Sequence, residues 1–505
     1  MTTKYFLTFC VGLLICNSCS KSVLNNTPSN AIDASLAATN LATTRSAVIG
    51  LYSLMANSSY YGSFAVVVPD LAADNLTQSV QNNGDYSAFN KNTVAVGNGD
   101  VANLWNQLYA IVINANTIIN RAKRIQVGSS DSVELRQLIG EAYAVRALTY
   151  FDLVRWFAPP WNCPPFSQAG SALGVPLVDS SYPQNRNQLL YPSRNTVAQT
   201  YAHIVNDIDS GLVYLPTNGN VINTGVVDPS LFKIRLNYFG LNALAARVYL
   251  YENDYTDAVS AATVVINNPL YQLFNAATIV SDFHQQSAIE SIFEIANNQF
   301  NNQGINGVAY EFSQNGYGEF LATMYTYNLY GKTDPRLGFM SIGNRNAFAG
   351  ETNVPLVNKY NNIKSYQENI KIFRLAEMYL IRSEAEFNLG GTSTQAGITD
   401  LSTIITSRQS TTAIPTASST LTQQLTAVLL ERRKEFAFEG HRLFDITRNA
   451  PIYGNGVAWT KTTQFNGSGA NFTTIVRRDT SHKNILPIPL SEINDDPNIL
   501  QNPGY

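Results

Sequence analysis

The chain has 505 residues, and 45% of them are hydrophobic, which is enough apolar material for a large core. Charged residues make up only 14% and the formal net charge is −3, whereas charged residues are roughly 25% of a usual soluble protein. This balance excludes the basic surface typical of nucleic-acid binding and gives no attraction to anionic lipid. The polar surface must come mainly from Asn, Gln, Ser and Thr together with 27 Tyr, a mixture that suits neutral polar ligands.

The first residues are typical of a bacterial lipoprotein signal. An apolar run from Tyr5 to Ile15 is too short to span a membrane as a mature helix and has the length of a signal-peptide core. Cys19 follows it between two serines, as in a lipobox. We therefore predict that residues 1–18 are a lipoprotein signal peptide, that Cys19 is acylated, and that residues 19–40 form a flexible tether. A plain secretory signal that is cleaved elsewhere is the alternative.

Apolar residues at helical spacing recur along the remaining chain. The predicted single helices, in chain order, are Leu41–Ala56, Leu104–Lys123, Ser132–Ala158 and Asn195–Leu215. Trp105 and Trp156 fall inside two of these patterns, so we assign both side chains to the core.

Two later stretches predict pairs of helices. Residues 238–267 and residues 373–408 each contain two helical segments with small residues where the helices cross, a pattern similar to a tetratricopeptide unit. Such pairs cannot bury their apolar faces alone, so they stack. Residues 272–370, which are dense in Asn, Gly and aromatics, predict a loop-rich subdomain with a few short strands. The predicted fold class is therefore mainly α.

The stretch from Leu421 to Arg448 combines an apolar helical face with a dense run of charges. Glu431 and Lys434 are three residues apart, as are Arg432 and Glu435, so we expect ion pairs along the helix surface. Gly440 is predicted to end the helix in a left-handed conformation. The spacing of Glu435, Glu439 and His441 does not match a zinc-protease motif, which favours an ion-pair cluster at a packed helix corner.

This stretch, ERRKEFAFEGHRLFDITR, resembles the hallmark helix of the SusD/RagB family, nutrient-binding outer-membrane lipoproteins of Bacteroidota. Four further segments resemble family motifs in the same order. They are WNQLYAIVINAN, AYAVRALTYFDLVRWF, DPRLGF at residues 334–339 and the terminal segment KNILPIPLSEINDDPNILQNPGY. The resemblance implies one SusD-like α-helical domain at residues 41–505, with the loop-rich insertion at about 272–370. It also implies a surface-exposed lipoprotein that delivers oligosaccharides to a SusC-like TonB-dependent transporter in the outer membrane.

Receptors for neutral oligosaccharides need aromatic platforms flanked by polar side chains, and exposed loops are where such aromatics are free of core packing. Two segments qualify, residues 74–89 and residues 310–330. The predicted ligand-binding residues are Asp74, Asn75, Tyr86, Phe89, Tyr317, Phe320 and Tyr325.

No cofactor or metal site is expected from the sequence. The glycine-rich GNGDVA at residues 97–102 lacks the acidic residue that a dinucleotide fingerprint needs about 20 residues later, and four His leave little material for a histidine metal centre. We therefore expect a binding protein and no enzyme. Peptide capture, a helical-repeat scaffold for protein partners and a glycoside hydrolase remain as alternatives. The hydrolase would need two facing carboxyls, for which the candidates are Asp70 with Asp74 and Glu311 with Glu319.

Replacing the predicted acylation site tests the proposed anchor. Cys19→Ala removes the only atom that a lipobox enzyme would acylate, so the protein should leave the membrane fraction and lose labelling by a fatty-acid probe. Serine at position 20 offers a matched control, because Ser20→Ala should leave membrane attachment unchanged. Acyl labelling that persists in Cys19→Ala would contradict the lipobox assignment.

Overall fold

A computed structural model describes residues 36–162, 170–181, 191–223, 226–227, 231–299, 301–345, 351–449, 459–461, 475–477 and 481–505. The helices are α1 Leu41–Met55, α2 Phe64–Ala72, α3 Ser87–Asn90, α4 Gly99–Ala122, α5 Ser129–Phe157, α6 Val197–Tyr214, α7 Tyr238–Glu252, α8 Tyr255–Ile266, α9 Ile279–Phe283, α10 Val308–Phe312, α11 Met324–Tyr327, α12 Leu375–Leu389, α13 Thr394–Ser407, α14 Leu421–Glu435, α15 Arg442–Arg448 and α16 Leu490–Asp495. The strands are β1 Leu76–Gln78, β2 Ile222–Asn223, β3 Val226–Val227, β4 Ser291–Ile295, β5 Phe320–Ala322, β6 Met340–Gly343, β7 Val354–Val357, β8 Ile370–Arg374, β9 Trp459–Lys461 and β10 Ile475–Arg477. The predicted signal peptide and Cys19 lie outside the described residues.

The predicted mainly α fold class is confirmed. The long helices pack against their neighbours in the chain, α4 on α5, α5 on α6, α7 on α8 and α12 on α13. Helix α8 also packs on α12, which joins the two predicted helix pairs into one stack. The assignment of residues 41–505 to a single domain stays a prediction.

Small residues let the helices in this stack approach closely. A Cβ added to Gly140 on α5 would lie 2.8 Å from Cγ of Leu215, and one added to Gly211 on α6 would lie 2.6 Å from Cδ2 of Leu241. Both distances are well inside van der Waals contact. The core that results includes Trp105 and Trp156, which are 2% and 1% exposed, so the prediction that both belong to the core is confirmed.

Short strands form a small sheet beside the helices. Its strand order is β1-β5-β7-β6, with β1 antiparallel to β5 and Gln78 opposite Phe320. Three of these strands come from the predicted loop-rich segment, and β1 comes from the long loop after α2. A second pair, β4 with β8, leads directly into α12. Within the described part of the chain, no helix combines the length and the apolar character that a membrane crossing requires.

Glu435, the last residue of α14, lies at the centre of a buried ion-pair cluster. Its carboxylate contacts Arg336 at 2.9 Å, Arg374 at 2.8 Å and Arg408 at 3.1 Å. Arg374 and Arg408 both also contact Glu290, at 2.5 and 2.6 Å. The cluster therefore joins α14 to the start of β4, the end of β8, the end of α13 and the DPRLGF segment.

The predicted ion-pair cluster is present, but two of its expected pairs are wrong. Arg432 contacts Asp445 on α15 at 3.1 Å, and Lys434 donates to Thr412 at 2.9 Å. Glu431 contacts Arg336 at 2.8 Å. The physical reason is that these buried side chains face other elements of the fold, and each binds a partner that those elements supply.

Gly440 has a different role from the predicted one. Helix α14 ends five residues earlier, at Glu435, with Phe436 as its C-cap. Gly440 does adopt a left-handed φ of +80°, but it lies in the turn between α14 and α15, residues 436–441, which we call the hallmark turn. A Cβ at position 440 would lie 2.1 Å from the backbone oxygen of Ala65. A glycine is therefore required there for the hallmark turn to approach α2 closely.

Glu435→Gln should destabilise the fold strongly. The substitution removes the negative charge that three buried guanidinium groups share, and breaking a buried pair costs about 3–5 kcal/mol. Urea unfolding should show this loss in the free energy of unfolding. The control is Asp495→Asn on the exposed end of α16, which should change it by less than about 0.5 kcal/mol. Equal stability of the two variants would contradict the role given to the cluster.

Candidate functional site

The two segments predicted to carry the ligand site, residues 74–89 and 310–330, lie side by side, and each contains one loop. The first site loop, residues 79–86, leaves β1, and the second site loop, residues 313–319, enters β5. Because β1 and β5 are antiparallel neighbours, the end of one loop meets the start of the other. The amide of Ser79 donates to the backbone oxygen of Glu319 at 2.8 Å, and the amide of Asn83 donates to Glu319 Oε2 at 2.7 Å.

Buried polar side chains hold the two loops together. Arg345, which is 4% exposed, donates to the backbone oxygens of Tyr317 and Gly318 at 3.0 and 3.1 Å and to Ser79 Oγ at 2.6 Å. Glu351 accepts the amide of Val80 at 3.0 Å. Since these contacts involve backbone atoms of both loops, the loops form one surface.

Three tyrosines form an aromatic patch on this surface, and we call Tyr310, Tyr317 and Tyr366 the tyrosine surface. All three rings are half-buried. The rings of Tyr310 and Tyr317 meet edge to face, with centroids 4.7 Å apart and planes at 88°, and the centroid of Tyr366 is 6.2 Å from that of Tyr310. Gly316 permits this packing, because a Cβ there would lie 2.4 Å from the backbone oxygen of Tyr310.

Tyr86 borders a polar pocket of about 170 Å³ next to the first site loop. Its ring stacks on Phe320 at 5.9 Å and meets Phe64 edge to face at 5.5 Å, while its hydroxyl donates to Ser63 Oγ at 3.1 Å. Burial raises the pKa of Tyr86 well above its ordinary value, so the phenol stays neutral and can only share hydrogen bonds. The pocket is lined by Ser58, Ser59, Phe64, Asp85, Tyr86, Asp100, Asn103, Asn306 and Glu311.

The remaining predicted site residues differ in their access to solvent. Phe89 and Phe320 are 2% and 0% exposed, so they support Tyr86 from beneath and do not enter the binding proposal as ligand contacts. Tyr325 is 52% exposed, and the guanidinium of Arg433 lies 4.7 Å from its ring centroid. It stays a predicted contact, on a different element from the tyrosine surface.

The side chains of Asp74 and Asn75 bind other buried side chains of the protein. The carboxylate of Asp74 contacts Arg442 at 2.7 Å and Arg433 at 3.0 Å. Asn75 accepts from Arg433 Nε at 2.9 Å and donates to Asp70 at 2.6 Å. All of these side chains are buried, so Asp74 and Asn75 position β1 and the first site loop, and we do not propose them as ligand contacts.

The two carboxyl pairs considered for glycoside hydrolysis do not face a common cleft. Asp70 accepts the amides of Phe438 and Gly440, both at 3.0 Å, and burial raises its pKa to about 6. These hydrogen bonds show that Asp70 holds the hallmark turn, and the ion pairs of Asp74 hold the helices on either side of it. In the second pair, Glu319 is 0% exposed, so a sugar in the pocket cannot reach it.

The second pair does belong to a close group of carboxylates. Glu311, Glu319 and the exposed Asp85 each place one oxygen within 4.8 Å of the others. Burial, followed by the charges of Glu319 and Asp85, raises the pKa of Glu311 well above its ordinary value. Burial likewise raises the pKa of Glu319. We call these three residues the carboxylate cluster.

Sequence reasoning did not name two members of the tyrosine surface. Tyr310 bounded a predicted loop without being named as a contact, and Tyr366 lay outside both predicted segments. Tyr366 comes from residues 361–369, which carry no periodic pattern, although a left-handed φ of +54° marks it as an unusual position. The only available signal was the density of Tyr in loops.

Two family models match the chain. The model described as "SusD family" matches residues 340–505, and the model described as "Starch-binding associating with outer membrane" matches residues 37–250. The first covers the hallmark turn and the terminal segment, and the second covers the early helices and the first site loop. The two matches do not overlap.

Relatives and solved structures agree with these matches. SusD-like protein P2 of Formosa agariphila is 24% identical over 99% of this chain and 100% of its own length. Starch-binding protein SusD of Bacteroides thetaiotaomicron is 34% identical over 27% of this chain and 22% of its own length. A crystal structure of a SusD superfamily protein from Bacteroides vulgatus covers 92% of this chain and 99% of its own, with 27% identity and a TM-score of 0.77.

The buried ion pairs of Asp74 predict a pH-dependent stability. Burial alone would raise the pKa of Asp74, but the charges of Arg433 and Arg442 outweigh it and lower the pKa from 3.8 to about 2. A carboxyl with a depressed pKa stabilises the fold above its unfolded pKa, and this contribution, about 2 kcal/mol, is lost as the pH falls from about 4 through 2.

Asp74→Asn should therefore be less stable than the natural chain at about pH 7, and the difference should shrink by about 1 kcal/mol at about pH 3. Urea unfolding at both pH values measures it. Asp209→Asn, at an exposed position on α6, is the control and should show no such change. A difference for Asp74→Asn that is the same at both pH values would contradict the assignment.

Proposed function

The chain belongs to the SusD/RagB family, and from that premise we propose that it is a cell-surface lipoprotein that captures neutral oligosaccharides at the tyrosine surface. The family comprises glycan-binding proteins that associate with the outer membrane. We further propose that the chain delivers its ligand to a SusC-like TonB-dependent transporter and acts without chemical conversion.

The tyrosine surface is the observation that carries this proposal. Pyranose rings have apolar faces that pack on aromatic rings, and their hydroxyls need polar partners. Tyr310, Tyr317 and Tyr366 offer half-exposed rings in different orientations, so adjacent sugar units of a curved chain can each find a face. Tyrosine loses little conformational freedom on binding because it has few rotatable bonds, and the buried Arg345 holds the backbone beneath it.

The charges near this surface favour a neutral ligand. Asp85 is exposed beside the pocket, and Glu311 lies directly after Tyr310. The exposed carboxylate of Asp85 repels uronic acids and sulfated sugars. Arg345 is buried and bonded to backbone oxygens, so its charge is not exposed to a ligand at the surface.

The anchor and the partner follow from the sequence and the family together. An acylated Cys19 would hold the protein at the membrane, and a surface position would place the tyrosine surface where extracellular glycans arrive. Co-purification of the natural chain with a large β-barrel transporter from solubilised outer membranes tests the partner, and Cys19→Ala separates anchoring from partner binding because it removes only the lipid.

Calorimetric titration of the chain from Ser20 onward, against neutral glucan oligosaccharides, uronic-acid oligosaccharides and peptides, tests the ligand class. We expect heat from a neutral oligosaccharide and no new reducing ends after prolonged incubation. Binding of peptides alone would favour peptide capture, and new reducing ends would favour a hydrolase.

Removal of one ring from the tyrosine surface should weaken binding without unfolding the chain. Tyr317→Ala should raise the dissociation constant about tenfold, because a central aromatic residue that anchors a ligand contributes about 1.4 kcal/mol or more. Tyr191→Ala, at another exposed tyrosine, is the matched control. Unchanged affinity in both Tyr317→Ala and Tyr310→Ala would contradict the site assignment.

A further inference from the structure

The carboxylate cluster combines geometry and burial in a way that the proposed glycan site does not explain. Asp85 comes from the first site loop, Glu311 from α10 and Glu319 from the second site loop. One oxygen from each lies within 4.8 Å of the other two, so a point about 2.8 Å or less from all three exists between them. Calcium–oxygen distances are about 2.3–2.6 Å, so a small inward movement of these side chains would bring all three oxygens to bonding distance of an ion.

One oxygen of this cluster is buried without a partner. Glu311 Oε2 receives no hydrogen bond from the described residues, and Glu319 Oε1 has only the side chain of Gln78 beside it, although Glu311 and Glu319 are only 4% and 0% exposed. A buried carboxylate oxygen without a donor is costly. The contrast with Glu435 is informative, because that buried carboxylate contacts three guanidinium groups.

A shared proton does not account for the arrangement. In dyads that share a proton, the two carboxyl oxygens approach to hydrogen-bond distance, and no hydrogen bond joins Glu311 to Glu319 among those of the described residues. Arg345 lies near Glu319, but its ion pair is with Glu351, at 3.8 Å. Among the described residues, no cationic side chain forms an ion pair with Asp85, Glu311 or Glu319, so a cation bound between them would meet no competing partner.

From these observations we propose that Asp85, Glu311 and Glu319 form a binding site for one calcium ion. All ligands are oxygens, which selects a hard cation over zinc or copper. The adjoining pocket adds the hydroxyls of Ser58 and Ser59 and the side chains of further polar residues, and it leaves room for the waters that complete a calcium shell. The expectation of no metal site rested on scarce His and did not test an oxygen-only site.

Calcium at this position would connect both site loops to α10. Asp85 directly precedes Tyr86, and Glu311 directly follows Tyr310, so the ion would restrain the backbone beneath both rings. It would also convert a group of repelling carboxylates into a cross-link between segments that are 226 residues apart in the sequence, Asp85 and Glu311. The metal site does not depend on the identity of the glycan.

The test uses the purified full chain after treatment with a chelator. Calorimetric titration with calcium chloride should show one equivalent bound, and the midpoint of thermal unfolding should rise by a few degrees at saturating calcium, because a ligand that binds only the folded state stabilises it. Terbium, which replaces calcium and is excited through nearby tyrosine, should give sensitised emission that calcium displaces. Absence of all three signals would overturn the proposal.

Variants locate the ion. Asp85→Asn, at an exposed position that does not endanger folding, should lower calcium affinity at least tenfold, and Glu311→Gln combined with Glu319→Gln should abolish binding. Since these two substitutions remove buried charge, the double variant should be no less stable than the calcium-free natural chain. Glu386→Gln is the control, because Glu386 Oε2 is also buried and unpartnered but lies on α12. Calcium binding that survives in the double variant, or that is lost in Glu386→Gln, would overturn the assignment.

Discussion

The contact of Asp74 with Arg433 and Arg442 is the interaction on which the site depends. It joins the end of α2 and the start of β1 to the two helices on either side of the hallmark turn. Strand β1 then pairs with β5, and each of these strands carries one site loop at the same end. A motif near the carboxyl end of the chain therefore sets the position of loops that come from its first and middle thirds.

The chemistry of the residues that flank the hallmark turn suits this role. Apolar packing fills volume but is indifferent to orientation, whereas bidentate contacts between guanidinium and carboxylate fix direction as well as distance. Glu435 accepts from three arginines that each come from a different element. Moving all of these charges out of water is costly, so the arrangement is stable only when every partner is present. We infer that these ion pairs contribute a specific geometry more than net stability.

The scaffold could be predicted from the sequence because its signals are local. Whether apolar residues recur at helical spacing can be seen within a few turns of sequence. The pairs α7–α8 and α12–α13 were therefore predicted with nearly correct ends. Contacts between distant segments were not available in the same way. Arg433 and Asn75 are 358 residues apart, and their pairing depends on the whole topology. The same reason explains why Arg432 and Glu435 were first assigned to each other along α14.

The site could be predicted only as two loops, since which face of a loop is exposed depends on what packs beneath it. Phe320 is buried because its ring packs against the rings of Tyr86 and Phe312, while Tyr317, three residues earlier, remains half-buried. Tyr366 joins the surface from a segment without any pattern of its own. A loop rich in Tyr and Asn therefore predicts an aromatic and polar surface, but which residues lie on that surface depends on the fold.

Hydrogen–deuterium exchange of Asp74→Asn against the natural chain tests the central claim most directly, because it reports on each segment separately. If the ion pairs of Asp74 position the site loops, exchange should rise in residues 76–89 and 313–322, while the α7–α8 and α12–α13 pairs keep their protection. An increase confined to the residues that contact Asp74, or an equal increase through the whole chain, would contradict the account.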